Sequence, residues 1–352
     1  MGATRVASLI TDRLTVSYSR IVNPVLKEHE IRPASLFQIY LDLAAEDLDK
    51  FFTDVPREPM ACPACDSEGE LAFEKLGFSY RECQRCWSLW VSPRPNFESF
   101  VSFYSNSASS RYWAEVFYPA VESVRREKLW RPKARQVADI AEGSSVAFNN
   151  LVDIGGGSGT FAEEFIAVCG LSVVVIEPSP ESAAACRERG VTVIESFLED
   201  VQPSELPQGH SIFTSFELFE HVHDPRHWLK SIADLMQSED VLVVTTLSGL
   251  GLGLDIRTLW DQSDSVNPPH HINFLNPASM SQLAMNVGLE TLRVFTPGVL
   301  DLDIMNNNRT KVTDRFWASV LDTSDEAELC RWQEFISESG RSSHMWAVLQ
   351  KP

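Results

Sequence analysis

Short apolar runs recur through the C-terminal part of the chain, spaced as strands are when helices alternate with them. Strands are predicted near 149–154, 172–177, 191–195, 211–216, 240–246, 289–295 and 344–350, with helices between the first five. Val152 and Ile154 suit a strand buried in a parallel sheet. Such alternation predicts an α/β fold with a doubly wound parallel sheet. Upstream the period changes: residues 33–52 carry apolar positions at helical spacing, so residues 1–60 read as a largely helical leader used for packing or a dimer contact. Residues 97–142 also read as helices and are rich in aromatics, with Phe97, Phe100, Phe103, Tyr104, Tyr112, Trp113, Phe117 and Tyr118, most of them expected in the core.

The first strand of the sheet breaks into Asp153-Ile-Gly155-Gly156-Gly157-Ser-Gly159-Thr160. Glycines there let the backbone turn sharply and approach a ligand, and the helix opening at Phe161 aims its N-terminal amides at the same space. The next strand ends at Glu177, where a carboxylate can accept ribose hydroxyls. A nicotinamide-binding loop keeps glycine at the third position of its motif, where this chain has Thr160, so the pattern favours S-adenosylmethionine over NAD. An ordinary tight turn or another nucleotide site is the bland alternative for the glycines alone.

Cys62-Pro-Ala-Cys65 and Cys83-Gln-Arg-Cys86 are separated by 17 residues, a spacing at which two knuckles close on one zinc ion. A segment this short needs such a staple, because it cannot bury enough core of its own. The competing reading is a disulfide. With no signal peptide, and with Cys169, Cys186 and Cys330 scattered as an odd remainder, a reducing cytoplasm is expected instead. Asp66 and Trp87 stand directly after the knuckles, where many relatives have glycine.

These features together resemble the class I S-adenosylmethionine-dependent methyltransferases, in particular those with an N-terminal zinc ribbon. Further resemblance lies in Val193–Asp200, like the family's third strand and adenine-flanking turn, in Phe213–Pro225, like its fourth strand and Glu-His-Val segment, and in Pro268–Ser279, like the stretch that supplies catalytic side chains in sugar methyltransferases. The resemblance implies a Rossmann-like seven-stranded sheet whose last two strands form an antiparallel pair around an insertion at 297–343. It implies cofactor contacts from Asp153, Gly155, Gly156, Gly157, Gly159, Glu177, Pro178, Phe197, Leu198 and Phe216. Residues 97–142 would cap the cofactor, with Tyr104 or Tyr112 facing substrate.

Methyl transfer to a hydroxyl or a carbon acid calls for a positioned acceptor and a general base, and histidine titrates in the right range. Two clusters compete: Glu220-His221 with His223, and His270-His271. Sugar methyltransferases carry Glu-His at the second place. Here His270 replaces the glutamate, so His271 inherits the base role and the carboxylate's share is in question. A histidine pair merely bonded into a loop is the structural alternative, and Glu220-His221 is expected to order the helix after strand four.

The formal charge of −19 would repel a phosphate backbone, and the cysteine-bearing segment adds few basic residues, among them Lys75, Arg81, Arg85 and Arg94, so no nucleic-acid partner is expected. No run is long enough to span a membrane. At 352 residues, 44% of them hydrophobic, the chain can bury one large domain with attachments. The expected organisation is a helical leader at 1–60, a zinc ribbon at 61–96, a helical cap at 97–142 and a methyltransferase domain at 143–352. The expected function is methyl transfer from S-adenosylmethionine to a hydroxyl or carbon of a small polar metabolite, a sugar or nucleotide sugar by resemblance, in a monomer or homodimer. A non-catalytic module that binds cofactor and a protein partner is the alternative, and an NAD-linked dehydrogenase is disfavoured at Thr160.

Overall fold

The computed structural model describes residues 26–251, 263 and 265–352, so residues 1–25 of the leader expected at 1–60 lie outside the described residues. In chain order the elements are α1 (Glu28–Ile31), α2 (Ala34–Phe52), β1 (Arg57–Glu58), β2 (Glu70–Lys75), β3 (Phe78–Glu82), β4 (Leu89–Val91), β5 (Arg94–Pro95) and α3 (Phe97–Asn106). Then α4 (Ala108–Tyr112), α5 (Tyr118–Arg125) and α6 (Arg131–Glu142) run on through two π turns, Trp113–Phe117 and Arg126–Trp130. The sheet domain follows with β6 (Asn150–Ile154), α7 (Thr160–Cys169), β7 (Ser172–Ile176), α8 (Pro180–Glu188), β8 (Thr192–Ile194), β9 (Ser211–Phe216), α9 (Pro225–Leu235) and β10 (Val241–Leu247). Last come β11 (Asn273–Phe274), α10 (Pro277–Asn286), β12 (Glu290–Phe295), α11 (Asp301–Asn307), α12 (Arg315–Thr323), α13 (Glu326–Glu338) and β13 (His344–Gln350).

The main sheet has seven strands in the order β12-β13-β10-β9-β6-β7-β8. Strands β6 to β10 pair in parallel, while β13 runs antiparallel to both β10 and β12. Because side chains alternate across a strand, both faces are apolar. Leu151, Ile212 and Val243 pack on α6 and α7 through Val137, Phe161 and Phe165. Val152, Phe213 and Leu242 pack the other way, against Trp228, Leu229 and Ile232 of α9 and Leu283 of α10. Helix α9 starts sharply: Asp224 accepts the amides of Arg226 and His227 at 3.1 and 3.0 Å, and Pro225 sits in the first turn, where its missing N–H costs nothing.

The cysteine-bearing segment packs into the sheet domain. Cys62, Cys83 and Trp90 share one apolar core with Val152, Leu242 and Leu283. Its sheet is four-stranded, in the order β11-β4-β3-β2, and the fourth strand comes from beyond β10. Asn276 Nδ2 donates to the Cys86 carbonyl at 2.7 Å and Asn286 Nδ2 to that of Ala64 at 2.8 Å, while Arg226 pairs with Asp66 at 2.9 Å. Between β12 and β13, α11 to α13 close a small core of Leu302, Met305, Leu321 and Ile336. Buried Asp301 ties the two ends of this excursion by accepting from Ser342 Oγ and the Ser343 amide, each at 2.7 Å. Among the described residues no helix is long and apolar enough to cross a membrane.

Candidate active site

The turn after β6 shows why it is glycine-rich. Gly155, Gly157 and Gly159 have φ of 68°, 55° and 79°, left-handed values that side chains resist. A Cβ at Gly156 would stand 2.5 Å from Asp153 Oδ2 and 2.9 Å from Val175 Cγ1, whereas one at Gly157 would meet nothing within 4 Å, so that residue faces open space. Asp153 is buried and accepts the Thr214 hydroxyl at 2.7 Å. Burial pushes its carboxyl up to about 7, against the pull of Thr214 and with the nearby Glu177 charge adding to the rise. A cleft lined by Asp153, Gly155, Gly156, Thr160, Phe161, Phe216, Tyr118 and Trp130 opens here, so the α5–α6 segment forms one wall.

Glu177 accepts the amides of Gly157 at 3.0 Å and Ser179 at 2.9 Å, which orients it across the glycine turn. Burial raises its pKa, and those two amides oppose the rise. Pro178 is exposed, and Leu198 is buried under the turn that follows β8. Phe197 is 45% exposed and meets Phe97 at 6.4 Å between ring centroids. Phe97, one of the aromatics most of which the sequence placed in the core, is 50% exposed at the start of α3. The two uncovered rings meet where the chain has left β8, the strand whose Ile194 carbonyl accepts the Glu177 amide.

The two histidine clusters that compete in the sequence meet in space. The rings of His221 and His271 lie 5.1 Å apart and those of His221 and His270 6.1 Å apart. A buried guanidinium joins the segments: Arg94 Nη2 donates to Ile272 O and Asn273 Oδ1 at 3.2 and 2.8 Å, and Arg94 Nη1 donates to His223 O. Asn273 Nδ2 donates back to Val222 O at 2.7 Å, and the Ile272 amide to Glu220 O at 2.8 Å. Ligand atoms of Glu220, His221 and His271 lie within 4.8 Å of one another, a grouping that could also hold a cation. Arg94, which the sequence presents as one of the segment's basic residues, is 1% exposed and joins these loops instead of offering a surface charge.

Electrostatics keep the imidazoles neutral. Burial pushes His271 down to about 4 and His270 to about 3, and holds His221 well below its usual value. Burial, reinforced by the Glu217 charge, lifts the Glu220 carboxyl to about 8 while its Oε2 accepts the Thr246 hydroxyl at 2.8 Å. His271 Nδ1 lies 2.7 Å from the Ser265 carbonyl, which makes Nδ1 the protonated nitrogen and leaves a lone pair on Nε2. Tyr80 of β3 holds the His271 carbonyl at 2.9 Å. The Tyr104 hydroxyl faces His221 Nδ1 at 3.4 Å, whereas Tyr112 points away and donates to the Leu36 carbonyl. His270 packs among Tyr40, Phe103 and Tyr104, and its buried Nε2 has no hydrogen-bond partner. Sequence reasoning missed Glu217 at the end of β9, which has φ of 52° and collects Lys133, Thr245 and His344 on one oxygen at 2.8, 2.7 and 2.8 Å. Acid and histidine were visible there, but no local motif joins them.

The four knuckle sulfurs converge, with Cys62–Cys86 and Cys65–Cys83 at 3.4 Å and Cys65–Cys86 at 3.7 Å. Thiolates about 2.3 Å from a tetrahedral ion stand roughly 3.8 Å apart, so the donor set fits zinc. Asp66 and Trp87 take left-handed φ of 59° and 60° without glycine, and their amides close the same turn onto the Cys62 and Cys83 carbonyls at 3.0 and 2.9 Å.

A doubly wound sheet with a glycine turn after its first strand and a carboxylate ending its second defines a nucleoside-binding α/β protein, and this strand order is that of the class I S-adenosylmethionine-dependent methyltransferases. Residues 112–294 match the family model described as methyltransferase domain, and the chain belongs to that family. It is 31% identical over 104 residues to the mitochondrial ubiquinone biosynthesis O-methyltransferase of Schizosaccharomyces pombe, covering 28% of this chain and 38% of that protein. It is 27% identical over 151 residues to the ubiquinone biosynthesis O-methyltransferase of Xanthomonas euvesicatoria pv. vesicatoria, covering 40% and 62%. The chain thus spans less than two thirds of the length of either relative. Among solved structures, the plantazolicin methyltransferase BamL, in complex with a triazolic desmethylPZN analog and SAH, superposes with a TM-score of 0.46 at 14% identity, over 72% of this chain and 94% of that one.

Proposed function

We propose that this chain transfers a methyl group from S-adenosylmethionine to a hydroxyl, or an acidic carbon, of a small polar acceptor, with His271 as the general base. The observation that carries the reading is the convergence, at the C-terminal edge of one sheet, of an open glycine turn, the Glu177 carboxylate and a histidine with a fixed tautomer. The donor's ribose would meet Glu177, its amino group Asp153, and its adenine the Phe97, Phe197 and Leu198 wall. Bound there, the donor supplies an electrophilic methyl group.

The rest is done by side chains. A hydroxyl oxygen becomes strongly acidic as its bond to carbon forms, so a weak base suffices provided that it is neutral and aimed. His271 meets both conditions: burial keeps it unprotonated and Ser265 keeps its Nε2 lone pair free. Tyr104 and His221 border the acceptor, and the apolar walls exclude water that would compete for the methyl group. The sugar or nucleotide-sugar acceptor rests on resemblance alone, because the curated relatives are named for ubiquinone biosynthesis. For the ribbon, four convergent sulfurs support a structural Zn²⁺ whose role is to brace the histidine loop through Tyr80 and β11.

The test is transfer of labelled methyl from S-adenosylmethionine to a panel of sugars, nucleotide sugars and phenols, with His271→Ala as control. Labelled product with the wild type and its loss in the variant are expected. A protein that binds S-adenosylhomocysteine yet methylates no acceptor would support the non-catalytic alternative.

A further inference from the structure

Arginines on the α5–α6 helix are treated in two ways. Arg126 and Arg131, with Arg189 from the loop after α8, are each ion-paired with Glu122, Glu163 or Glu164 at distances from 2.5 to 3.5 Å. Arg125, one residue before Arg126, has no carboxylate within 4.0 Å among the described residues, and neither has Arg32. Arg125 reaches back toward α1, where its Nη2 donates to the carbonyl of Ile31, the neighbour of Arg32, at 3.2 Å. Its guanidinium lies over the rings of Trp113, Phe117 and Tyr118 at 5.6 to 5.9 Å, and its Nε is buried without a partner. Arg32 lies over Phe37 at 5.6 Å. Phe37 stacks on Tyr40 at 5.8 Å, and Tyr40 meets His270 at 5.6 Å, so this aromatic cradle borders the histidine cluster.

We propose that Arg32 and Arg125 form an oxyanion subsite that holds a carboxylate or phosphate of a ligand lying over the histidine cluster. Arg32 and Arg125, which bonds to the residue before Arg32, stand near each other without a counter-ion, and like charges so placed destabilise each other, while a protein of net charge −19 has carboxylates to spare for pairing them. Leaving them unpaired is accounted for when a ligand supplies the anion, which a guanidinium fork binds through two parallel hydrogen bonds. The fields agree with this placement: burial first and Arg32 second bring Arg125 down to about 10, and Arg32 also opposes protonation of His271. Glu217 is the one carboxylate whose charge reaches Arg125, and it is engaged by Lys133 and His344. The anion has two sources, the amino-acid carboxylate of the methyl donor or an acidic group on the acceptor. Only the choice between them rests on the proposed methyl transfer.

Calorimetry on the full chain separates the sources, with S-adenosylhomocysteine as one probe and inorganic pyrophosphate, added to protein saturated with it, as the other. Arg32→Met and Arg125→Met should each weaken one probe about tenfold or more, as loss of charge-assisted hydrogen bonds does, while Arg125→Lys loses less. Pyrophosphate binding to saturated protein that both variants weaken, with S-adenosylhomocysteine unchanged, assigns the subsite to the acceptor. Weakened S-adenosylhomocysteine assigns it to the donor's carboxylate. Variants that melt like wild type and leave both probes within twofold overturn the proposal. Should Arg125→Met not fold, Arg32→Met decides, since its side chain makes no hydrogen bond among the described residues. Because anion binding needs no turnover, an inactive protein with an intact subsite would refute the proposed function alone.

Discussion

Binding of S-adenosylmethionine should depend on pH through the carboxyl group of Asp153. Asp153 lies in the cleft with Gly155 and Gly156, and burial places its pKa at about 7. The donor brings an ammonium and a sulfonium, so it binds the ionised carboxylate and displaces the proton. Affinity then rises about tenfold per pH unit below that pKa and levels off above it. Between about pH 6 and about pH 8 the protonated fraction falls from roughly nine tenths to one tenth, which makes the expected gain about tenfold, or about 1.4 kcal/mol. In the free protein the sign is reversed: the folded state holds a proton that the unfolded state releases near pH 4, so Asp153 lowers stability as pH rises from about 4 to about 7. Titration calorimetry in buffers of different ionisation enthalpy should count close to one proton released at about pH 6 and few at about pH 8. Asp153→Asn keeps an acceptor for Thr214, and it should bind more weakly with a flat profile. A wild-type affinity that does not change over this range, or an Asn variant with the same slope, refutes the reasoning.

Three further outcomes are expected. Purified protein should carry about one zinc per chain, and Cys83→Ser should release it and loosen the ribbon, as read by metal analysis and proteolysis; a metal-free protein with a knuckle disulfide would count against this. His271→Ala should slow turnover by roughly 10²-fold or more at unchanged S-adenosylhomocysteine affinity, and because its pKa is near 4, the acid limb of the wild-type rate should lie well below the usual histidine range; full activity in that variant together with an inactive His221→Ala would move the base to 221. Phe97→Ala should weaken S-adenosylhomocysteine by about three- to tenfold without lowering the melting temperature, since a half-exposed ring contributes little to folding; unchanged affinity removes Phe97 from the adenine wall.

The seven main strands were legible because each is a short apolar run whose neighbours fix its face, and Ser211–Phe216 and His344–Gln350 fall where the pattern puts them. The glycine turn and the knuckles were legible because their chemistry is local in sequence. What escaped is held together by contacts between distant segments. Nothing near Asn273 announces a two-residue strand on β4, and nothing near Arg94 announces that its guanidinium will fasten 223 to 272. The two histidine clusters therefore read as rivals, although they lie side by side. Which of the aromatics in 97–142 are exposed, as Phe97 is, was not legible, because aromatic content carries no direction.

The borrowed strand has a consequence for the order in which the chain takes shape on the ribosome. Leu89–Val91 leaves the exit tunnel well before Asn273–Phe274, and at 5–20 residues per second the wait is roughly 10 to 40 s. During that interval β4 has one bare edge, of the kind that invites pairing with another nascent chain. The proposed metal would need only Cys62 to Cys86, so its capture would set the knuckles while the edge is still open. With zinc as the proposed ion, its supply during synthesis, more than in the finished protein, would then set how many chains reach the state in which His271 has its seat.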